Sequence, residues 1–314
     1  MKLPPKAERP TMYFIGVTTG QSSIMKLFPL WAEALGLKDA VIKGIDIEIH
    51  ASPETYREVV EFIKYDELSL GALVTTHKID LYQAAKDLFD FLDPYALSFQ
   101  ELSCISKKDG RLEGCAKDPI SSGLAMEAFI PDGFWKRHSG EALILGCGGS
   151  ALAISAYLTD PARGDNVPSK IILTNRSEPR LRSARELLSK LPTNVPFDFH
   201  LCPEPARNDE VMAGLKEYSL VVNATGLGKD RPGSPLTDNC RFPDHSLVWE
   251  LNYRGELDFM KQALRQQQAR NLRVEDGWIY FIHGWTQVIS EVFHIDIRGE
   301  TLERCVKIAE SLKK

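Results

Sequence analysis

The sequence predicts an α/β protein built as two domains. Short runs rich in Val, Ile and Leu alternate with longer stretches of helical period. That alternation pauses and restarts mid-chain, and a glycine-rich turn joins strand to helix just after the restart. With 314 residues, 43% hydrophobic and 26% charged, the chain has enough apolar material for two cores.

In the front third, MYFIGV (12–17), IDIEIH (45–50) and GALVTT (71–76) read as strands, with helices around 24–35, 53–64 and 79–90. ELSCISK and RLEGCAK, joined by the turn-forming KDG, read as two more strands. The stretch PDGFWKRHSG (131–140) reads as a linker. Beyond it EALILG (141–146), KIILTNR (170–176), FDFHLC (197–202), LVVNAT (220–225) and LVWELNY (247–253) suggest a second sheet, and a helical tail runs from about 278 to 314.

Composition removes several classes of function. A net charge of −5 with dispersed Lys and Arg gives no basic surface for nucleic acid. No stretch approaches a membrane span, and the opening MKLPPKAERP has no apolar segment behind it, so a cytoplasmic protein is expected. The six cysteines stand apart without metal-ligand spacing, so neither a metal nor disulfides are expected.

The most specific local signal is ALILGCGGSALAISAYL (142–158), where an apolar strand enters Gly146, Cys147, Gly148, Gly149 and Ser150 and then an Ala-rich helix. Glycine lets backbone approach a pyrophosphate, and the helix N-terminus offers free N–H donors; a purely structural tight turn gives the same pattern. The next strand ends in Asn175, Arg176 and Ser177, with Arg180 following. Two guanidiniums and a hydroxyl suit a ribose 2′-phosphate, favouring NADP over NAD, although both arginines also read as ordinary surface residues. Asp165 precedes the strand and reads as a solvated loop residue. Asn223, Ala224, Thr225 and Gly226 close a further strand at the carboxyl edge of the same sheet, where ligands collect and small residues leave room for a nicotinamide ribose.

In order, these motifs resemble the shikimate and quinate dehydrogenase family over most of the chain. The resemblance makes Lys78 in VTTHK the catalytic lysine and Asp118 in GCAKDPISSG the aspartate of the Asn-Thr-Asp motif. Reduction of a ketone by hydride needs a proton delivered to the developing alkoxide, which a positioned lysine held by a carboxylate provides. Bland readings stand beside these: a surface lysine, and a helix-capping aspartate before Pro119. The family pattern also implies ligand contacts at Ser22, Thr75, Ser103, Tyr253 and Gln287, a softer match at Asp90, and Gly277 where the chain returns to the first domain.

Departures fall in the substrate half. The family's Ser-x-Ser, which holds a substrate carboxylate, becomes Gly20-Gln21-Ser22; its Asn-Thr pair becomes Ser103-Cys104; the residues before Asp118 become Ala116 and Lys117; the proline of the lysine motif becomes Thr76; and the later glutamine becomes Gly284, with His283, Trp285 and Gln287 nearby. The resemblance therefore implies a substrate-binding domain over 1–118 and 278–314, and a Rossmann-like NADP domain over 119–277. The expected reaction is hydride transfer between NADP(H) and a polyhydroxylated cyclic or sugar-derived alcohol or ketone, by a monomer or homodimer. Ordinary shikimate dehydrogenation, a non-catalytic NADP-binding regulator and a methylene-tetrahydrofolate dehydrogenase are the alternatives.

Overall fold

The apolar runs gather into two six-stranded sheets, and the chain divides into two compact units, Met1–Lys117 with Gly284–Lys314, and Asp118–His283. The structure, a computed structural model, describes residues 3–229 and 231–313.

The first unit opens with β1 (Thr11–Gly16), α1 (Ile24–Ala34), β2 (Val41–Asp46), α2 (Pro53–Tyr65), β3 (Ser69–Val74) and α3 (Lys78–Ala85). It continues with β4 (Phe91–Leu92), α4 (Pro94–Phe99), β5 (Cys104–Lys108) and β6 (Arg111–Cys115). The strand order is β2-β1-β3-β5-β6-β4. β1, β2 and β3 run parallel, β5 runs antiparallel to β3 and to β6, and β4 runs parallel to β6. Because β5 is reversed, Leu73 faces Cys104 and Cys104 faces Cys115, so the ends of β1, β3, β4 and β6 and the start of β5 share one edge. Tyr13, Ile15, Val59, Ile63, Ile105 and Leu112 form the heart of this core.

Local chemistry fixes the helix starts. Ser52 accepts the Thr55 N–H at 3.4 Å ahead of Pro53, and Asp93 accepts the Ala96 N–H at 2.6 Å ahead of Pro94.

Two expectations need correction here. β2 occupies Val41–Asp46 rather than 45–50, because Val41 pairs with the Pro10 carbonyl. The alternation of Ile45, Ile47 and Ile49 imitates a strand beyond its true end: Ile49 is 57% exposed and His50 turns at φ 59°. The helix expected over 79–90 stops at Ala85, and a 3-10 turn over Lys86–Leu88 leads into β4.

The second unit contains α5 (Asp118–Glu127), α6 (Phe134–His138), β7 (Ala142–Leu145), α7 (Gly149–Leu158), β8 (Ile171–Asn175), α8 (Glu178–Leu188), β9 (Phe197–Leu201) and α9 (Pro205–Ala213). After these come β10 (Leu220–Asn223), β11 (Leu247–Glu250), α10 (Asp258–Arg270) and β12 (Arg273–Glu275). The order β12-β11-β10-β7-β8-β9 is parallel throughout, so every strand delivers its carboxyl end to the same edge. Its core is built on Leu143, Leu145, Val221, Val248, Met212 and Phe259. The stretch read as a linker is packed structure: Phe134 and Trp135 of α6 are buried, which a solvated linker would not allow.

α11 (Trp278–Phe293) carries the chain back to the first unit, which α12 (Gly299–Glu310) completes. There the buried Trp31 indole donates to the Cys305 carbonyl at 2.8 Å, and Phe28 packs on Phe293. Among the described residues no helix is long and apolar enough to cross a membrane.

Candidate active site

At the first sheet's shared edge, the loops after β1, β3 and β6 and the one before β5 bring residues singled out in the sequence. After β1, Thr19 donates its N–H (2.8 Å) and hydroxyl (2.6 Å) to Asp46, which ends β2. Gly44 makes room for this pair, since a Cβ there would sit 2.0 Å from the Thr19 hydroxyl. Gly20 borders open space, and Ser22 is half-buried with its N–H on the Thr19 carbonyl.

After β3 the chain bends sharply. The His77 N–H reaches back to the Thr75 carbonyl at 2.6 Å around Thr76, whose φ is 62°. This is a γ-turn of the rarer, strained hand, centred on a β-branched residue. His77 is buried; burial lowers its pKa, and its Nδ1 lies 3.1 Å from the Tyr56 hydroxyl. Lys78 then opens α3, half-buried, and its carbonyl accepts the Leu102 N–H at 3.1 Å.

Ser103 is buried, and its hydroxyl accepts the Lys117 N–H at 2.7 Å, so it also braces the chain leaving β6. Asp93 adds a second brace, accepting the Ala116 N–H at 3.2 Å, and burial raises its pKa. The Lys117 ammonium meets Glu291 of α11 at 2.6 Å, with side chains 15% and 27% exposed. Burial opposes the charge of Lys117, but the hydrogen bond to Glu291 and neighbouring groups leave its pKa raised. Gln287 is half-buried one helical turn before Glu291. Asp90 falls elsewhere: it is exposed beside the start of β6, accepts the Leu112 N–H at 2.8 Å and pairs with Lys64.

The second sheet's carboxyl edge brings together the residues expected to hold a cofactor. Gly146 has φ 115°, and a Cβ there would lie 2.7 Å from the Ala224 carbonyl oxygen, so this turn requires glycine. A Cβ on Gly148 or Gly226 would meet nothing within 4 Å, leaving open space over the N-terminus of α7 and over the turn after β10. Ser150 lies in the first turn of α7. Asn175 accepts the Ser177 N–H at 3.0 Å, while Arg176 and Arg180 are exposed at the start of α8, without ion pairs among the described residues. Asp165 is an exposed partner of Lys136.

Under the turn after β10 lies a buried network that the sequence reading missed. Thr225 donates its N–H and hydroxyl to the Asn223 side-chain oxygen (3.1 and 2.6 Å), and the Asn223 amide donates to Glu250 at 2.8 Å. The other Glu250 oxygen accepts the N–H and amide of Asn252 at 2.8 and 2.7 Å. Burial pushes the Glu250 carboxyl up to about 7 despite these donors. Gly277 closes the network, since a Cβ there would sit 1.9 Å from the Leu251 carbonyl oxygen. A charged residue ending the apolar run LVWE was the available signal, of the same kind as Lys78 after GALV.

Two further residues from the sequence reading lie in this unit: half-buried Asp118, which opens α5, and Tyr253, whose ring is 4.6 Å from that of Phe281.

No protein-family model matches the chain. The shikimate dehydrogenase (NADP+) of Methylocella silvestris is 26% identical over 278 residues, covering 88% of each chain. The quinate dehydrogenase of Corynebacterium glutamicum, solved with NAD, superposes with a TM-score of 0.73 at 17% identity, covering 97% of this chain and 98% of its own. The 5-ketofructose reductase of a Gluconobacter species superposes with a TM-score of 0.69 at 15% identity, covering 97% and 99%. Over most of its length the chain is similar in sequence to shikimate dehydrogenases (NADP+), and its fold is similar to that of shikimate and quinate dehydrogenases.

Proposed function

We propose that the protein is an NADP-dependent dehydrogenase that moves hydride between NADP(H) and a polyhydroxylated alcohol or ketone. The observation that carries this reading is the gathering of the glycine turn, the Asn175–Arg180 stretch and the Asn223–Gly226 turn at one edge of a fully parallel sheet. The relatives named for NADP support the choice of cofactor.

The residues fit that group. Gly146, Gly148, Gly149 and Ser150 offer close backbone approach and the N–H groups of α7 to a pyrophosphate. Asn175, Arg176, Ser177 and Arg180 offer a 2′-phosphate two exposed guanidiniums without ion pairs among the described residues. Asn223, Ala224, Thr225, Gly226 and Gly277 border the nicotinamide end. The bound cofactor supplies or accepts the hydride.

In this reading Lys78 is the general acid/base and Asp118 its partner carboxylate. Ser22, Thr75, Ser103, Tyr253 and Gln287 are the substrate contacts in this reading. The relatives' names favour shikimate itself as a second reading.

A panel of polyols and ketones, followed at the nicotinamide absorbance, tests the proposal. Lys78→Ala is expected to lower turnover by orders of magnitude while leaving the NADP dissociation constant unchanged; parallel loss of both would make Lys78 structural. Arg176→Ala with Arg180→Ala is expected to weaken NADP at least tenfold more than NAD, by removing charge-assisted hydrogen bonds to the 2′-phosphate. An unchanged NADP/NAD ratio would remove the arginines from the cofactor site.

A further inference from the structure

The carboxyl edge of the first unit is poor in available positive charge. Lys117, the cation that stands where the related sequences place a threonine, meets Glu291 at 2.6 Å, both side chains being largely buried. Asp93 lies in the field of that pair and adds a second carboxylate. On the loop after β1, the Thr19 N–H and hydroxyl are both spent on Asp46. Beside them Gly20 offers no side chain at all, where the related motif places a serine.

An anionic substrate group needs a cation or several converging donors, and a carboxylate buried without them costs far more than a neutral hydroxyl does. Lys78 and Lys117 stand here among Asp46, Asp93, Glu101 and Glu291, so the charged groups of this edge are predominantly acidic. Its polar side chains include the Ser22 and Ser103 hydroxyls and the carboxylates of Asp46, Asp93 and Glu291, and hydroxyls of a neutral substrate can pair with such groups without burying a further negative charge.

We infer that the substrate is an uncharged polyhydroxylated ketone or alcohol, a keto-sugar or cyclitol, and that the Lys117–Glu291 pair is what turns carboxylated rings away. The inference rests on the proposed dehydrogenase reading and narrows its substrate class. The fold shared with a reductase named for 5-ketofructose is consistent with it but does not carry it.

A pair of probes that differs in one charge tests it. Shikimate and methyl shikimate share the ring and all three hydroxyls, and only the acid is anionic. With the NADP-saturated protein, calorimetric titration is expected to give at least tenfold tighter binding of the ester, and oxidation is expected to follow the same order. In Glu291→Gln, which neutralises the partner of Lys117, acid binding is expected to improve at least tenfold and the ratio to close.

Equal or tighter binding of the acid by the wild-type protein overturns the inference, as does failure of both probes to bind at any concentration up to saturation of the buffer. The wild-type ratio decides the matter even if the variant does not fold. Failure of the dehydrogenase reading would appear separately, as absence of NADP binding in a titration without either probe.

Discussion

Thr76 sits at φ 62° in a γ-turn whose closing bond, His77 N–H to Thr75 carbonyl, spans 2.6 Å, directly before Lys78. A left-handed conformation costs an L-residue about 1–2 kcal/mol, and a β-branched side chain pays the upper part of that range. Proline is locked near the opposite sign of φ and cannot occupy this backbone. Thr76→Gly is therefore expected to stabilise the protein by about 1 kcal/mol in urea unfolding. Thr76→Pro, which would restore the related motif, should destabilise it and reduce turnover. If Thr76→Pro proved neutral, the turn would not be held by its neighbours. The lysine at a strand's end, apparent from GALVTTHK alone, thus stands on a bend whose conformation no local pattern announces. The Glu291 partner of Lys117 was equally hidden, because nothing in the sequence connects residues 117 and 291.

The elements that read clearly in the sequence are those whose signal is contained in a short window. The turn from β7 into α7 needs glycine at 146 for reasons of backbone contact, and the four central strands of the second sheet, β7, β8, β10 and β11, are short, mostly apolar runs buried along nearly their whole length. β4 and β12 escaped notice because two or three residues carry no period, and their pairing is decided by β6 and β11. β11 joins sequence to chemistry most directly, since its last residue, Glu250, supports the Asn223–Thr225 turn from below. Between the ordinary value of 4.5 and about 7, the folded state keeps a proton on Glu250 that the unfolded chain releases. Its contribution to stability is fully present below pH 4.5 and is lost as pH rises through 7. Glu250→Gln is expected to remove this part of the pH dependence in urea unfolding measured at pH 5 and pH 8. It should also cost about 1–3 kcal/mol for the lost acceptor facing Asn223. An unchanged slope would show that Glu250 is charged throughout.

Over the whole molecule, the two cores are built from separate sets of residues, and the proposed cofactor contacts all fall in Asp118–His283. NADP at a hundredfold excess over its dissociation constant should stabilise that unit by about 2.7 kcal/mol. Hydrogen exchange is the direct measurement, with added protection expected at β7, β8 and β10; protection confined to the first unit would contradict the assignment. The first unit differs from the second in one further respect. Its last contributions, Trp285 against Phe14, Glu291 against Lys117, Phe293 against Phe28 and the Cys305 carbonyl under the Trp31 indole, all come from the end of the chain. During synthesis the ribosome delivers residues 1–117 first but withholds the segment that completes them, while residues 118–283 emerge as one uninterrupted stretch. The later-made unit is thus the first able to finish folding, and the earlier-made one must wait with an exposed tryptophan and an unmatched charge until residues 284–314 have emerged.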